Sequence, residues 1–378
     1  DVREGETENA ADYARRKGFK PTSYTGSLTA WQEMLRRDDI DLVIISTPWE
    51  DHVPMSVYAM QRGVHVAVEV PAAYTLDDCW ALVDTAEEAQ RNCMMLENVC
   101  YGEEELWLLN MVAHGVFGEL TYAEAGYIHQ LRELLFSTDG YYQQWRLKHH
   151  KQYGGNLYPT HGLGPVAQYM DIHRGDTFDY LVSMSSIEAG LTEHAKTVGA
   201  DNPFHNAGGF AHGDMSNQLI KTAKGRTILL QHDVVTHRPY SRINSLGGSK
   251  AFHTGYPSRM AAPEYSTSMF GSDHDWLSSR AHKKLKKKFQ HELWRKKGRD
   301  ASRAGGHGGM DYLMLYRLID NMNRGAVWDM DVYDGVAWSV ITPLSQLSEQ
   351  NGSAPMKFPD FTRGKWQQAR KLPIMETL

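Results

Sequence analysis

Three short runs constrain this chain most. "DLVIIST" (41–47), "VHVAVEV" (64–70) and "CMMLENV" (93–99) are continuously apolar and rich in β-branched or large aliphatic residues. A strand half-exposed to water alternates polar and apolar side chains. One without alternation is buried on both faces, as in a parallel sheet sandwiched by helices. Helical segments separate the runs. "HVPMSVYAMQRG" ends at Gly63, and "TLDDCWALVDTAEEAQRN" places Thr75 and Asp78 as a capping-box pair. After the third run comes "EEELWLLNMVAHG", closed by Gly115, and before the first comes "GETENAADYARRKG", starting near Glu6 or Thr7 and closed by Gly18. Strand and helix alternating at this spacing predict βαβ units and a Rossmann-like parallel sheet.

The pattern changes after Gly118. "ELTYAEAGYIHQL", "FDYLVSMSSIEAG", "DMSNQLIKTAKGRTILLQHDVV" and "INSLGGSKAFHTG" read as strands, with Lys224-Gly225 as a hairpin turn. The expected architecture is an α/β domain over 1–117. An α+β domain with a large, mainly antiparallel sheet follows over 118–378, and its C-terminal segments pack back on the first domain. Late helices are expected at "GMDYLMLYRLIDNMNRG" and "VYDGVAWSVITPLSQLSEQNG". A length of 378 residues agrees with about two domains.

Charge narrows the partners. The net charge is −6, which gives no overall electrostatic case for nucleic acid or a membrane surface. No apolar run approaches the roughly 20 residues of a membrane span. The one strong charge run, "HKKLKKKFQHELWRKKGR" (282–299), reads as a solvated amphipathic helix with Leu285, Phe289 and Leu293 inward; the other reading is an anionic-surface patch. Cys79, Cys93 and Cys100 have no metal-type spacing and read as reduced thiols, the first two in the core. His307 and Asp311 in "GGHGGMDY" are too few for a metal site, and the glycines around them suggest a tight loop before a helix.

Ligands of open α/β sheets bind beyond the carboxyl ends of the strands. Those ends carry Trp49, Glu50, Asp51 and His52 after the first run, Glu69 and Val70 after the second, and Glu97, Asn98 and Tyr101 after the third. Together they suggest a site for a cofactor with several hydroxyls. Asp1 stands where a dinucleotide-binding domain places the acid that holds the adenosine ribose. No GxGxxG occurs near Asp1, so the first strand and its glycine-rich phosphate loop are expected upstream of it, and the compartment stays open.

These blocks, with "WRLKHHKQYGGNLYPTHGLGPV", "GHGGMDY" and "DVYDGVAWSVITPLSQLSEQNG", resemble glycoside hydrolase family 109 along essentially the whole chain. That family comprises NAD-dependent α-N-acetylgalactosaminidases within the glucose–fructose oxidoreductase and inositol dehydrogenase superfamily. Where the superfamily usually has Glu-Lys-Pro, this chain has Glu69-Val70-Pro71, a departure from a plain dehydrogenase. The segment between Arg132 and Trp145 looks short for the family, which implies a different pocket wall. The resemblance implies NAD contacts at Asp1, Trp49, Glu50, His52, Glu69, Val70, Asn98 and Tyr158. It implies substrate contacts at Glu97, Tyr127, Arg146, Tyr158, His161 and Tyr240.

The implied chemistry explains a pocket of Tyr, His and Arg, where an ordinary glycosidase has two carboxylates. NAD oxidises the sugar at C3, the C2 proton becomes acidic, the C1 group is eliminated, water adds, and the hydride returns. His161 is the candidate for the C3 hydroxyl proton, its ordinary pKa near 6.5 suiting transfer near neutrality. Tyr158, three residues earlier, comes to the same side. Either Glu97 or Tyr127 handles the C2 proton. Arg146 is either a carbonyl or enolate partner or part of a solvated turn. Tyr240 either reaches into the pocket or lies on the sheet surface. Gly162 and Gly164, poor helix formers in "THGLGPVAQYM", suggest close approach of cofactor or substrate. Three functions follow: a glycosidase, a sugar or polyol dehydrogenase, or a non-catalytic sugar-binding protein. The partner expected is a small glycoside of either anomer, with self-association through the second-domain sheet.

Overall fold

A computed structural model describes residues 1–266 and 274–376. Its first part runs α1 (Glu4–Arg16), α2 (Ala30–Met34), β1 (Leu42–Ile45), α3 (Trp49–Gln61), β2 (His65–Val68), α4 (Leu76–Ala89), β3 (Cys93–Met95) and α5 (Glu103–Ala113). The three strands form a parallel sheet in the order β1-β2-β3, with Val66 opposite both Val43 and Cys93. Val66, Ala67, Val68, Met94 and Met95 are all buried, as their unbroken apolar pattern requires. The three cysteines are buried and unpaired. Thr75 caps α4 by accepting from the Asp78 backbone N–H at 3.1 Å. The reciprocal bond runs from its own hydroxyl to the Asp78 carboxylate at 2.6 Å, a side-chain version of the box.

The second part begins with β4 (Leu120–Ile128), α6 (Arg132–Phe136), α7 (Trp145–Gln152), α8 (Thr160–Tyr169), β5 (Phe178–Ser185) and α9 (Gly190–Ala195). It continues with β6 (Ser216–Thr222), β7 (Thr227–Asp233), β8 (Ser245–Gly248), β9 (Phe252–Thr254) and β10 (Arg259–Ala261). Then come α10 (Ser279–Lys288), α11 (Glu292–Ala304), α12 (Met310–Arg324), α13 (Val332–Ser339), α14 (Ile341–Gln350) and β11 (Met356–Lys357). Eight strands form one sheet in the order β10-β9-β8-β4-β7-β6-β5-β11. Its pairs are antiparallel except β4 with β7, which run parallel. Leu181, Ile220 and Ile228 point inward and are buried. On the other face Met184 and Leu219 are exposed, with Leu219 opposite Val182 and Leu229.

The C-terminal helices return to the first sheet. The Ala72 N–H donates to Ser339 Oγ at 3.1 Å, and Gly335 lies so close to Met95 that a side chain there would meet its Cβ at 3.2 Å. Arg174, after α8, grips Asp334 on α13 with two bonds of 2.7 and 2.6 Å, both residues buried. This bidentate pair ties α13 to the turn after α8 within the second part of the chain.

Two expected helices are each two. "VYDGVAWSVITPLSQLSEQNG" divides into α13 and α14 because Pro343 has no N–H for the Ser339 carbonyl and its ring crowds that group. The basic run divides into α10 and α11 because His291 caps the second helix, its Nδ1 accepting from Leu293 N at 3.2 Å. Leu285, Phe289 and Leu293 face inward as expected. The glycines of α8 also have another reason than ligand approach. A Cβ on Gly162 would meet the Gly126 backbone nitrogen at 2.5 Å and its oxygen at 2.9 Å, and one on Gly164 would meet Glu97, Trp338 and Cys100 at 3.0–3.1 Å. They let α8 lie directly on β4 and on the strand-end turn. Gly162→Ala is therefore expected to lower unfolding stability by about 1–3 kcal/mol through overpacking, read as a drop in the urea midpoint at unchanged slope.

Candidate active site

Above the carboxyl ends of β1 and β2 lies a cavity of about 860 Å³. Asp1, Thr47, Trp49, Asp51, His52, Glu69, Val70, Arg146 and Tyr158 line it. The residues after β1 form the first turn of α3, whose free backbone N–H groups face this rim. Trp49 donates its indole N–H to the Val70 carbonyl at 3.2 Å. His52 bridges the two strand ends, its ring nitrogens 2.9 Å from the Thr47 carbonyl and 2.8 Å from the Pro71 carbonyl. Burial lifts the Glu69 carboxyl above the ordinary range. Glu50 instead turns outward to His149, at 3.2 Å.

Arg146, on α7, is buried, so the solvated-turn alternative is set aside. Its guanidinium stacks over Tyr158 at 4.5 Å and lies 5.3 Å from the Trp49 and Tyr141 rings. One nitrogen donates to the Tyr141 hydroxyl at 2.8 Å. Nε and the other terminal nitrogen are buried without a protein partner. No carboxylate pairs with this cation among the described residues.

Tyr158 and His161 stand at the start of α8. The turn before them is pinned by Asn156, which accepts from Tyr158 N at 3.1 Å and donates to Gln218 on β6 at 2.7 Å. The rings of Tyr158 and His161 lie 4.9 Å apart, and Tyr127 on β4 completes the group at 4.6 Å from Tyr158 and 5.3 Å from His161. His161 Nδ1 is 2.7 Å from Glu97 Oε1, which also accepts from Val99 N at 3.1 Å. Glu97 has no exposed surface, so it stands behind His161 rather than on the cavity wall. Its other oxygen has no partner. Burial pushes the Tyr158 hydroxyl well up and that of Tyr127 up to about 12.

Other expected residues sit at the margins. Tyr240 is exposed, its ring edge-on to His129 at 5.0 Å and its hydroxyl accepting from Arg242 at 3.0 Å. Asn98 donates to Asp311 at 2.6 Å, Asp311 holds His307 Nδ1 at 2.8 Å, and the Asn98 side-chain oxygen is buried unpaired. Among the described residues no group of three His, Cys, Asp or Glu side chains is placed to hold a metal ion. No helix among them is long and apolar enough to cross a membrane.

Sequence reasoning passed over Tyr141, Trp145 and His129. Tyr141 lies in irregular chain and Trp145 opens a short helix, α7, with no apolar periodicity to read. His129 carried a signal: it follows Tyr127 by two, the spacing that puts side chains on one face of a strand. It also passed over three buried imidazoles, His150, His212 and His232, packed behind Tyr127.

The residues present fit a dinucleotide. The cavity opens on strand ends and a helix N-terminus, and two carboxylates line it, Glu69 after β2 and Asp1 before α1. The unpaired Asn98 oxygen is the kind of buried acceptor that a bound group satisfies.

Comparison with known proteins agrees. Residues 2–97 match the oxidoreductase family with an NAD-binding Rossmann fold, and residues 101–368 match the C-terminal domain of glycosyl hydrolase 109. A glycosyl hydrolase family 109 protein of Shewanella pealeana is 50% identical over 358 residues, covering 95% of this chain and 77% of that one. An alpha-N-acetylgalactosaminidase of Shewanella oneidensis is 49% identical over 362 residues, covering 96% and 78%. Among solved structures, a levoglucosan dehydrogenase in complex with NADH superposes with a TM-score of 0.66 at 15% identity, over 95% of this chain and 88% of that one. An inositol dehydrogenase homolog from Azotobacter vinelandii, complexed with NADH and myo-inositol, gives 0.59 at 15% identity over 95% and 88%. The dehydrogenase likeness is one of fold; sequence identity along nearly the whole chain places the protein in glycosyl hydrolase family 109, a family of NAD-dependent glycoside hydrolases.

Proposed function

We propose that the chain hydrolyses α-linked N-acetylgalactosaminides by redox-assisted elimination. The observation that carries this reading is the make-up of the site around Tyr158. Phenols, an imidazole and an unpaired guanidinium meet there, while the cavity's carboxylates, Asp1, Asp51 and Glu69, belong to the first part of the chain. A direct displacement ordinarily uses two carboxylates flanking the glycosidic bond. The name of the Shewanella oneidensis relative, alpha-N-acetylgalactosaminidase, supports the choice of sugar.

Asp1, Trp49, His52, Glu69, Val70, Asn98 and Tyr158 would hold NAD, with Glu50 contributing through the first turn of α3. Bound there, NAD supplies reversible hydride acceptance at a sugar carbon. His161 takes the proton of the C3 hydroxyl at Nε2, because Glu97 occupies its Nδ1. Arg146 directs its two free donors at the oxygen where negative charge develops. Tyr240 forms the outer rim. The domain division at residue 117 and self-association through the open sheet face around Leu219 belong to the same proposal.

Nitrophenyl α-N-acetylgalactosaminide is the test substrate, paired with its β anomer. Cleavage of both is expected, since abstraction next to a ketone does not select the anomer in advance. Strict cleavage of the α anomer would reject that part, and cleavage of neither would reject the substrate assignment.

A further inference from the structure

The proton at C2 needs an acceptor, and neither expected residue suffices alone. Glu97 is enclosed behind His161. Tyr127 packs against His161 and against Tyr158, which lines the cavity, but a phenol pushed up to about 12 is almost wholly protonated near neutrality. It can take a proton only if its own leaves at the same time. The Tyr127 hydroxyl is 2.8 Å from Nδ1 of His129. Burial holds the His129 pKa below its ordinary value, helped by Arg146, His161 and His307, whose positive charges would oppose another. The imidazole is thus kept neutral and able to accept. It is half-buried beside the exposed Tyr240, so its proton can reach solvent.

We propose that His129 takes the Tyr127 hydroxyl proton as Tyr127 removes the C2 proton of the sugar, the two side chains acting as one base. This rests on the redox-elimination reading, in which bound NAD has oxidised C3 to the ketone. The C2–H bond breaks and an O–H bond forms at Tyr127, while the former Tyr127 O–H bond breaks and an N–H bond forms at His129 Nδ1. The C2 electron pair becomes the C1=C2 double bond, and the aglycone oxygen leaves C1 with its bonding pair. When water adds, the proton returns by the same path. His129 is a positioning and relay residue, since it touches Tyr127 and not the sugar.

The relay sets a pH sign. His129 accepts only when neutral, so the rate of the C2 step falls as pH drops through the His129 pKa. Tyr141, Tyr240 and Arg146 also surround Tyr127, and Arg146 opposes the effect of burial on it.

The test is His129→Gln in the full chain with NAD, using aryl glycoside deuterated at C2 or at C3. Unchanged thermal midpoint and NAD affinity establish that the variant is folded. The expected result is a fall in kcat of about 10²-fold, a larger C2 isotope effect than wild type, and a smaller C3 effect, because proton abstraction has become limiting. A variant with an unchanged C2 effect, whatever its rate, would overturn the relay. Wild-type turnover in D₂O separates this from failure of the underlying reading: sugar without deuterium at C2 would sink the elimination and the relay together. An independent readout uses NAD-free protein. Tyr127→Phe removes a donor that favours neutral His129, so the His129 imidazole should titrate at higher pH by NMR; no movement would contradict the hydrogen bond on which the relay depends.

Discussion

Replacing His161 with asparagine is expected to lower kcat by roughly 10²–10⁴-fold, the range for removal of a positioned acid–base group. The geometry gives the reason. Glu97 Oε1 sits 2.7 Å from His161 Nδ1 and is itself fixed by Val99 N. A buried carboxylate that accepts Nδ1–H leaves the Nε2 lone pair free for the proton transfer proposed above. Glu97→Gln keeps the volume but presents an amide that can donate or accept, so the imidazole is no longer held in one tautomer. Its loss should approach that of His161→Asn. The double variant should be little worse than the worse single one, because the two act as a unit. Additive losses would mean that Glu97 has a role of its own. Steady-state kinetics of the four proteins decide this, with NAD affinity confirming that the cavity survives.

Arg146→Met should separate stability from activity. A buried guanidinium without a carboxylate partner costs desolvation, and two of its donors have no partner in the protein. Methionine fills similar volume and keeps contact with the Trp49, Tyr141 and Tyr158 rings. Thermal unfolding without ligands should therefore show equal or higher stability. Catalysis should fall: each hydrogen bond to a charged group contributes about 1.5–3 kcal/mol, so losing both donors lowers kcat/KM by about 10²-fold or more. A variant that is less stable and fully active would show that Arg146 serves the fold.

The parallel sheet was legible because unbroken apolar runs between capped helices admit few other folds. The strand-end cluster followed from that, since topology alone places Thr47, Glu69 and Glu97 on one rim. What sequence could not supply was depth. Glu97 and Tyr127 looked like equal candidates for one proton, and only packing separates them: Gly164 lets Glu97 lie flat against α8, out of the cavity. Gly162 looked like room for a ligand and is room for Gly126. The split of "VYDGVAWSVITPLSQLSEQNG" was readable from Pro343, whereas the split of the basic run depends on how His291 caps α11. Asp1 lines the cavity.

Redox-assisted hydrolysis stands or falls on the purified chain turning over nitrophenyl α-N-acetylgalactosaminide with NAD far below substrate. Many nitrophenol molecules should be released per NAD, at a rate that depends on NAD and with no net rise in nicotinamide absorbance. One NADH formed per sugar consumed, or release indifferent to NAD, would contradict it.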